Sequence, residues 1–423
     1  MEIITRPEVI FLLGLWLVPH FLLLNIVRSS NDNWTPIFCL LLLVAAYLLK
    51  PSTSDLPLYS VYFSTGFVAA EPYKIAKNDV ILDSKDSTGE PFEQAFPRNK
   101  GFQLLAKSFN KILPKGPFLP RINPAQQRYI TDFPILVVII IGLGILLITT
   151  TTIVGTNQLD TTIGGRLLRY LPLILGSVYF LLGSQNTIRQ FLGSIFILWS
   201  FSLILNNRSV LAIITTLTAI SLHHWSAGFA VWCLIAWYLL KFFQSRNKEL
   251  SLPFGGWQAV TIGFFLGCSM LLAIKILLLA NELEGLNNFF TVPIFLADIP
   301  RYGVMNLDDD IIRTPTTIKI IAIGFLLIIS ELVMGHEKKN EPLDIRSFRT
   351  ATYMFALPLA FYPDLISRFL FFYFGIEMLY MCWGISSNQK RSQVAALIVF
   401  IGHGFAPNAI NILIGPEWLY SFS

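Results

Sequence analysis

Apolar stretches recur along almost the whole chain, each near the roughly 20 residues that an α-helix needs to cross a hydrocarbon core of about 30 Å. They fall at 8–27, 35–49, 133–154, 167–183, 190–206, 209–222, 226–243, 257–280, 316–334, 349–363, 367–384 and 393–414. Lipid offers no hydrogen-bond partner, so such segments must satisfy their backbone groups internally, as helices do. The expectation is an all-α, polytopic integral membrane protein with about 12 transmembrane helices, forming one membrane domain over 1–423. Composition agrees. Hydrophobic residues make up 54% and charged residues 13%, with a mean hydropathy of +0.61, whereas a soluble chain carries about a quarter charged. The first stretch lacks a basic leader and a small-residue cleavage site, so it reads as a retained helix.

Positively charged short loops stay in the cytoplasm, which orients the helices. Arg246 and Lys248, then Lys338, Lys339, Arg346 and Arg349, then Lys390 and Arg391 mark three inside loops, and Arg28, Arg166 and Arg169 follow by counting back. The segments 50–132 and 281–315 then lie outside, as extracytoplasmic loops, with both termini out. Within the first, Phe102, Leu105, Phe109 and Ile112 repeat at helical spacing, with Lys107 and Lys111 on other faces. That pattern suits an amphipathic helix, either on the outer membrane surface or packed on the other loops.

Cys39, Cys233, Cys268 and Cys382 fall in apolar stretches without CxxC or Cys/His spacing, so they read as buried hydrophobes. No His and carboxylate group has ligand spacing on one helix, so neither metal nor other cofactor is expected. The net charge of +5 is mild and dispersed, and gives no support to a nucleic-acid partner. Gly-rich phosphate loops, GxSxG and HExxH are absent. What stands out is the gathering of polar residues at the outer ends of helices. Asp55 and Tyr59, the run from Ser184 to Gln190, His223 and His224, Arg301 and Tyr302, and Asp364 with Arg368 all fall on that side.

These residues carry a resemblance. Asp55-Leu-Pro-Leu-Tyr59 followed by Gly101-Phe102, Asn186-Thr-Ile-Arg189-Gln190, His224-Trp-Ser226-Ala227, and Arg368 followed by aromatics to Tyr373 occur in this order. Together they resemble the EpsG-like branch of the Wzy polysaccharide polymerases of bacterial O-antigen and exopolysaccharide synthesis. Asn99-Lys100 stand where that family carries an acidic residue, and its GlR-type motif before DxxxY is missing. The resemblance implies a GT-C-like fold and an inverting, metal-independent glycosyltransferase with its site facing outward. Its substrate would be a polyprenyl-diphosphate-linked oligosaccharide, its surroundings the lipid bilayer, and a chain-length regulator protein a further partner the resemblance allows.

Residue types fit that chemistry. Arg presents a fork to phosphate oxygens, and His titrates near neutral pH. His224, Arg189 and Arg368 are therefore the expected catalytic residues. Asp55, Tyr59, Asn186, Gln190, His223, Arg301, Tyr302 and Asp364 are the expected substrate-binding ones. The bland alternatives are arginines that snorkel to the interface, a helix-end histidine, and a cap and interfacial aromatic at Asp55 and Tyr59. His20, His336 and His403 read as structural or exposed. Glu377 lies near mid-membrane, where an ionisable group is a functional candidate, with no partner that sequence can name. Two other functions remain open: a ligase using the same donor, and a transporter or flippase for the lipid-linked glycan.

Overall fold

The computed structural model describes residues 7–23, 34–49, 63, 76–77, 80–81, 100–114, 133–154, 170–185, 187–246, 257–282, 310–335, 345–361, 363–387 and 389–414. Apart from a two-residue antiparallel pairing of Ala76–Lys77 with Val80–Ile81, the regular structure there is helical. The helices are α1 (Pro7–Leu22), α2 (Trp34–Leu49), α3 (Lys100–Ile112), α4 (Phe133–Val154), α5 (Val178–Gln185), α6 (Ile188–Leu205) and α7 (Ser209–Leu222). They continue with α8 (Ser226–Arg246), α9 (Trp257–Glu282), α10 (Asp310–Met334), α11 (Ile345–Ala356), α12 (Pro363–Ser386) and α13 (Lys390–Ile414).

Most apolar stretches became helices within a few residues of their expected ends, because a helix satisfies the backbone of an apolar segment internally. Two differ. The stretch 167–183 is broken at Gly176 and Ser177 between a helical segment at 170–175 and α5. The stretch 349–363 is α11 followed by a 3-10 turn, Leu357–Phe361, where Pro358 and Pro363 interrupt the ladder.

Four helices among the described residues are long and apolar enough to cross a membrane: Phe133–Ile153, Ile188–Leu205, Trp257–Ile276 and Arg368–Ser386. Shorter apolar helices, such as Ser209–Leu222 and Ile320–Met334, accompany them. The fold is thus compatible with an all-α membrane protein. The placement of apolar side chains agrees: Val210, Ile213 and Leu217 on α7, Phe265 and Leu272 on α9, and Ile321 and Phe325 on α10 all turn outward. Outward apolar faces of this extent are costly in water and suited to lipid. α12 is the opposite case, with almost all of its span Arg368–Ser386 buried and neighbours in α4, α5, α11 and α13.

The helix expected in the first long loop is α3, and its apolar face is used on the protein itself. Phe102 and Ala106 are buried, and the Phe102 ring meets Phe63 edge-on at 5.7 Å. Asn110 Nδ2 donates to the Phe63 carbonyl at 3.1 Å. Of the four residues that defined the face, Ile112 at the helix end is left 77% exposed.

Candidate functional site

α6 and α7 form an antiparallel pair joined by the tight turn at 206–208, where Asn207 takes a positive φ of 59°. α6 has 18 residues and α7 has 14, so at about 1.5 Å per residue α7 ends roughly one turn short of the start of α6. The chain therefore reverses beside Gly193. A Cβ there would lie 2.9 Å from the His223 Cβ and would collide with the Ser226 hydroxyl, so only glycine lets the turn seat this deeply. Arg189 sits four residues before Gly193, on the same face of α6.

His223 is a single extended residue, φ −152° and ψ 113°, between α7 and α8. Its N–H donates to the Ala219 carbonyl at 2.9 Å and its own carbonyl accepts the Ser226 N–H at 2.9 Å, so one helix ends and the next begins within four residues. The turn is also covered from outside. A Cβ on Gly101 would collide with Ser221, which shows how closely the start of α3 approaches the end of α7.

α12 supplies the third wall. Gln190 Nε2 donates to the main-chain carbonyl of Arg368 at 3.2 Å, and the Arg368 guanidinium lies over the Trp225 ring at 5.5 Å, within cation–π range. The aromatics that follow Arg368 anchor it. Phe372 stacks on Phe229 of α8 at 4.8 Å, and Phe369 meets the same ring edge-on at 5.4 Å. Rotation of α12 would break these contacts.

Arg189, Gln190, His223, His224 and Arg368, scattered over 180 positions of sequence, are thereby brought to one place. His223 is 5% exposed and its ring stacks on His224 at 5.3 Å. Burial holds its imidazole well below the ordinary value of 6.5, and the positive charges of Arg368, His224 and Arg189 push in the same direction. Nδ1 of His223, the hydroxyl of Ser226 and the hydroxyl of Thr187 are buried without a hydrogen-bond partner among the described residues. Thr187 is the N-cap residue of α6, yet its side chain makes no capping bond. Each such atom costs about 1–3 kcal/mol if left unsatisfied. The starts of α6 and α8, with their partial positive charge, point toward the same region.

Asp55, Tyr59, Asn186, Arg301 and Tyr302 lie outside the described residues, and Asp364 lies in α12 with its side chain outside them. Sequence reasoning missed Trp225, Thr187 and Ser226 as lining groups, although Trp225 and Ser226 stand inside the His224 motif. It also missed Gly193, whose spacing of four from Arg189 was the available signal.

A second polar cluster ties α10, α11, α12 and α13 together. Arg346 Nε and Nη2 donate to Glu331 Oε2 at 3.0 and 2.7 Å. Arg349, wholly buried, donates from Nε to Glu377 Oε1 at 2.6 Å and from Nη1 to Ser330 at 2.9 Å, with Glu331 Oε1 at 3.4 Å. Tyr373 donates to the same Glu377 oxygen, and His403 Nε2 lies 2.9 Å from the other. The Arg349 guanidinium covers the Tyr380 ring at 4.1 Å. Arg346 and Arg349, expected as charges of an inside loop, lie on α11, which turns both into the core where acids neutralise them. Of the two readings of His403, structural or exposed, the first holds: it is buried, packs on Phe374 and pairs with Glu377, which now has its partners. His20 is likewise buried, stacked on Phe400 at 4.4 Å.

Comparison with known proteins returns no match: no family model, no curated protein and no solved structure. The resemblance to the EpsG-like polymerases accordingly rests on the motifs themselves.

Proposed function

We propose that this protein is a multi-pass membrane glycosyltransferase that polymerises a polysaccharide. It would transfer a polyprenyl-diphosphate-linked glycan onto a lipid-linked repeat unit at the extracytoplasmic face. One observation carries the reading: motifs from three distant segments, Arg189-Gln190, His223-His224 and Arg368, converge on one buried turn. Four short motifs in order could arise by accident, but such motifs have no reason to meet in space.

The chemistry follows from the residue types. The acceptor hydroxyl attacks the anomeric carbon, the bond to the diphosphate breaks, and its electron pair leaves with the diphosphate. Two guanidinium forks and the helix starts beside them suit that charge. Stabilisation that grows as the bond breaks lowers the barrier, which uniform binding does not. The histidine pair provides a group for the hydroxyl proton.

The cluster around Arg349 favours a rival, since transporters hold ionisable groups deep in the membrane. Its charges, however, are engaged with one another between packed helices. Reconstitution with a polyprenyl-diphosphate repeat unit separates the readings. A ladder of glycan lengths is the expected result. A single addition to a different acceptor would mean a ligase, and a change of sidedness with no new bond would mean a flippase.

A further inference from the structure

We infer that His223, rather than the more accessible His224, takes the proton of the attacking hydroxyl, and that the charge gained by the departing diphosphate is what makes His223 basic enough to hold it. This inference rests on the glycosyltransferase reading above. Its starting point is the geometry of the turn. His223 is held by hydrogen bonds on both sides of its backbone, wedged on Gly193 and stacked on His224, while its Nδ1 reaches no acceptor or donor among the described residues. A buried imidazole with one idle nitrogen is arranged for a partner that comes and goes.

The charges around it decide when it can be protonated. From α6 it feels Arg189, from α12 Arg368, and from its own turn His224, all basic. α7 carries no titratable side chain, and α3, which packs on Ser221, carries Lys100, Lys107 and Lys111. Asp364, at the start of α12, has its side chain outside the described residues. Buried in this positive field, a second cation is disfavoured, so His223 is neutral in the resting protein. Neutral imidazole is the form a base needs.

The same field explains how it works. A diphosphate held by Arg189 and Arg368 offsets their charge, and breaking the glycosidic bond adds one more negative charge beside them. Proton transfer to His223 and charge build-up on the leaving group then offset each other. The bond from the hydroxyl oxygen to carbon forms, the bond from carbon to diphosphate breaks, the pair stays on the diphosphate and the proton on His223 Nδ1. The proton passes to solvent when the diphosphate departs and the positive field returns. His224 is the less buried of the two.

Linkage makes the inference testable without turnover: if the diphosphate favours protonated His223, its binding must draw in a proton. The probe is farnesyl diphosphate, which bears the leaving group. Titration calorimetry of the full-length protein in detergent, near pH 7 in two buffers of different ionisation heat, reads protons taken up. Wild type and His224→Gln should take up on the order of one proton more than His223→Gln, with all three binding the probe. Should His223→Gln fail to fold, wild type labelled with 15N-histidine must still show one resonance moving to the protonated position on addition of the probe. Equal uptake in His223→Gln, uptake lost in His224→Gln instead, or binding with no histidine shift would overturn the inference while leaving the diphosphate site standing. If farnesyl diphosphate does not bind at all, the glycosyltransferase reading falls, and this inference with it.

Discussion

Two buried polar clusters stand among the described residues, and they bring charges together in opposite ways. Around Arg349, guanidinium meets carboxylate within 2.6 to 3.4 Å and every helix from α10 to α13 contributes a group. Around His223, the charges that bear on the imidazole are all basic, and polar atoms of His223, Ser226 and Thr187 are left without hydrogen bonds among the described residues. A cluster whose members answer one another is a fastening. Buried atoms without a hydrogen bond occur at both, Arg349 Nη2 and Tyr380 Oη among them, so the sign of the charges is what separates the two. A turn that gathers charges of one sign gives up folding energy that paired charges do not.

The contrast breaks most sharply at Glu377. Replacing it by Leu strands Arg349 in the core, and removing one partner of a buried pair typically costs about 3–5 kcal/mol. The expected result is a steep loss of monodisperse protein and of thermal midpoint in detergent, partly recovered in the double variant Arg349→Leu, Glu377→Leu. A Glu377→Leu protein that is stable but inactive would move this cluster from scaffold to function. At the other cluster the order reverses. Arg189→Lys and Arg368→Lys keep the charge but lose the planar fork, so folded protein should persist while polymerisation falls by about 2–4 kcal/mol of barrier, the range for a lost oxyanion donor. Activity near wild type in both Lys variants, normalised to protein level, would return these arginines to simple snorkelling.

The two clusters were unequally legible in sequence. The helices were readable because aliphatic runs leave the backbone one solution, and 209–222 matched α7 at both ends. The meeting of Arg189, His223, His224 and Arg368 was readable because they lie in short motifs, so local pattern pointed to a non-local approach. The Arg349 cluster was not. Arg346 and Arg349 follow Lys338 and Lys339 closely and look like the same cytoplasmic run, and their acids lie 15 to 28 residues away on other helices. The signal that could have found it is a charge count: Glu331 and Glu377 inside apolar stretches require buried cations, and Arg346 and Arg349 stand at the edge of an apolar stretch between them. The break at Gly176 was hidden for a different reason. Packing, not local preference, sets it, since a Cβ there would meet the Phe400 ring at 2.6 Å.

Gly193 gives a smaller and more local test. Alanine at this position forces the His223 turn away from α6, and overpacking of this kind costs about 1–3 kcal/mol. Polymerisation should drop far more than stability, because the same displacement moves His223 and Ser226 relative to Arg189. Paired measurements of ladder formation and thermal midpoint check it. A variant that loses both in proportion would show that the close approach serves folding alone.

The smallest effect, and the one that isolates the electrostatics of the turn, is the pH dependence of stability. An unfolded histidine titrates near 6.5, whereas His223 in the folded protein is held well below that, first by burial and then by Arg368, His224 and Arg189. Between the two values the unfolded chain binds a proton that the folded protein refuses, so stability must fall as pH is lowered through 6.5 and continue to fall until the folded value is reached. Above that window neither state is protonated at this position, and the term vanishes. One pH unit below 6.5 the loss is about 1.4 kcal/mol, the weight of one unit of differential proton binding. Other groups titrate in the same range, so the informative quantity is a difference. His223→Gln cannot be protonated, and its thermal midpoint should decline less between pH 7.5 and 5.5 than that of the wild type. His224→Gln removes one of the positive groups facing His223 and should leave most of the slope in place. If His224→Gln flattens the curve and His223→Gln does not, the buried neutral imidazole is the other histidine, and the positive field at the turn acts on a different atom.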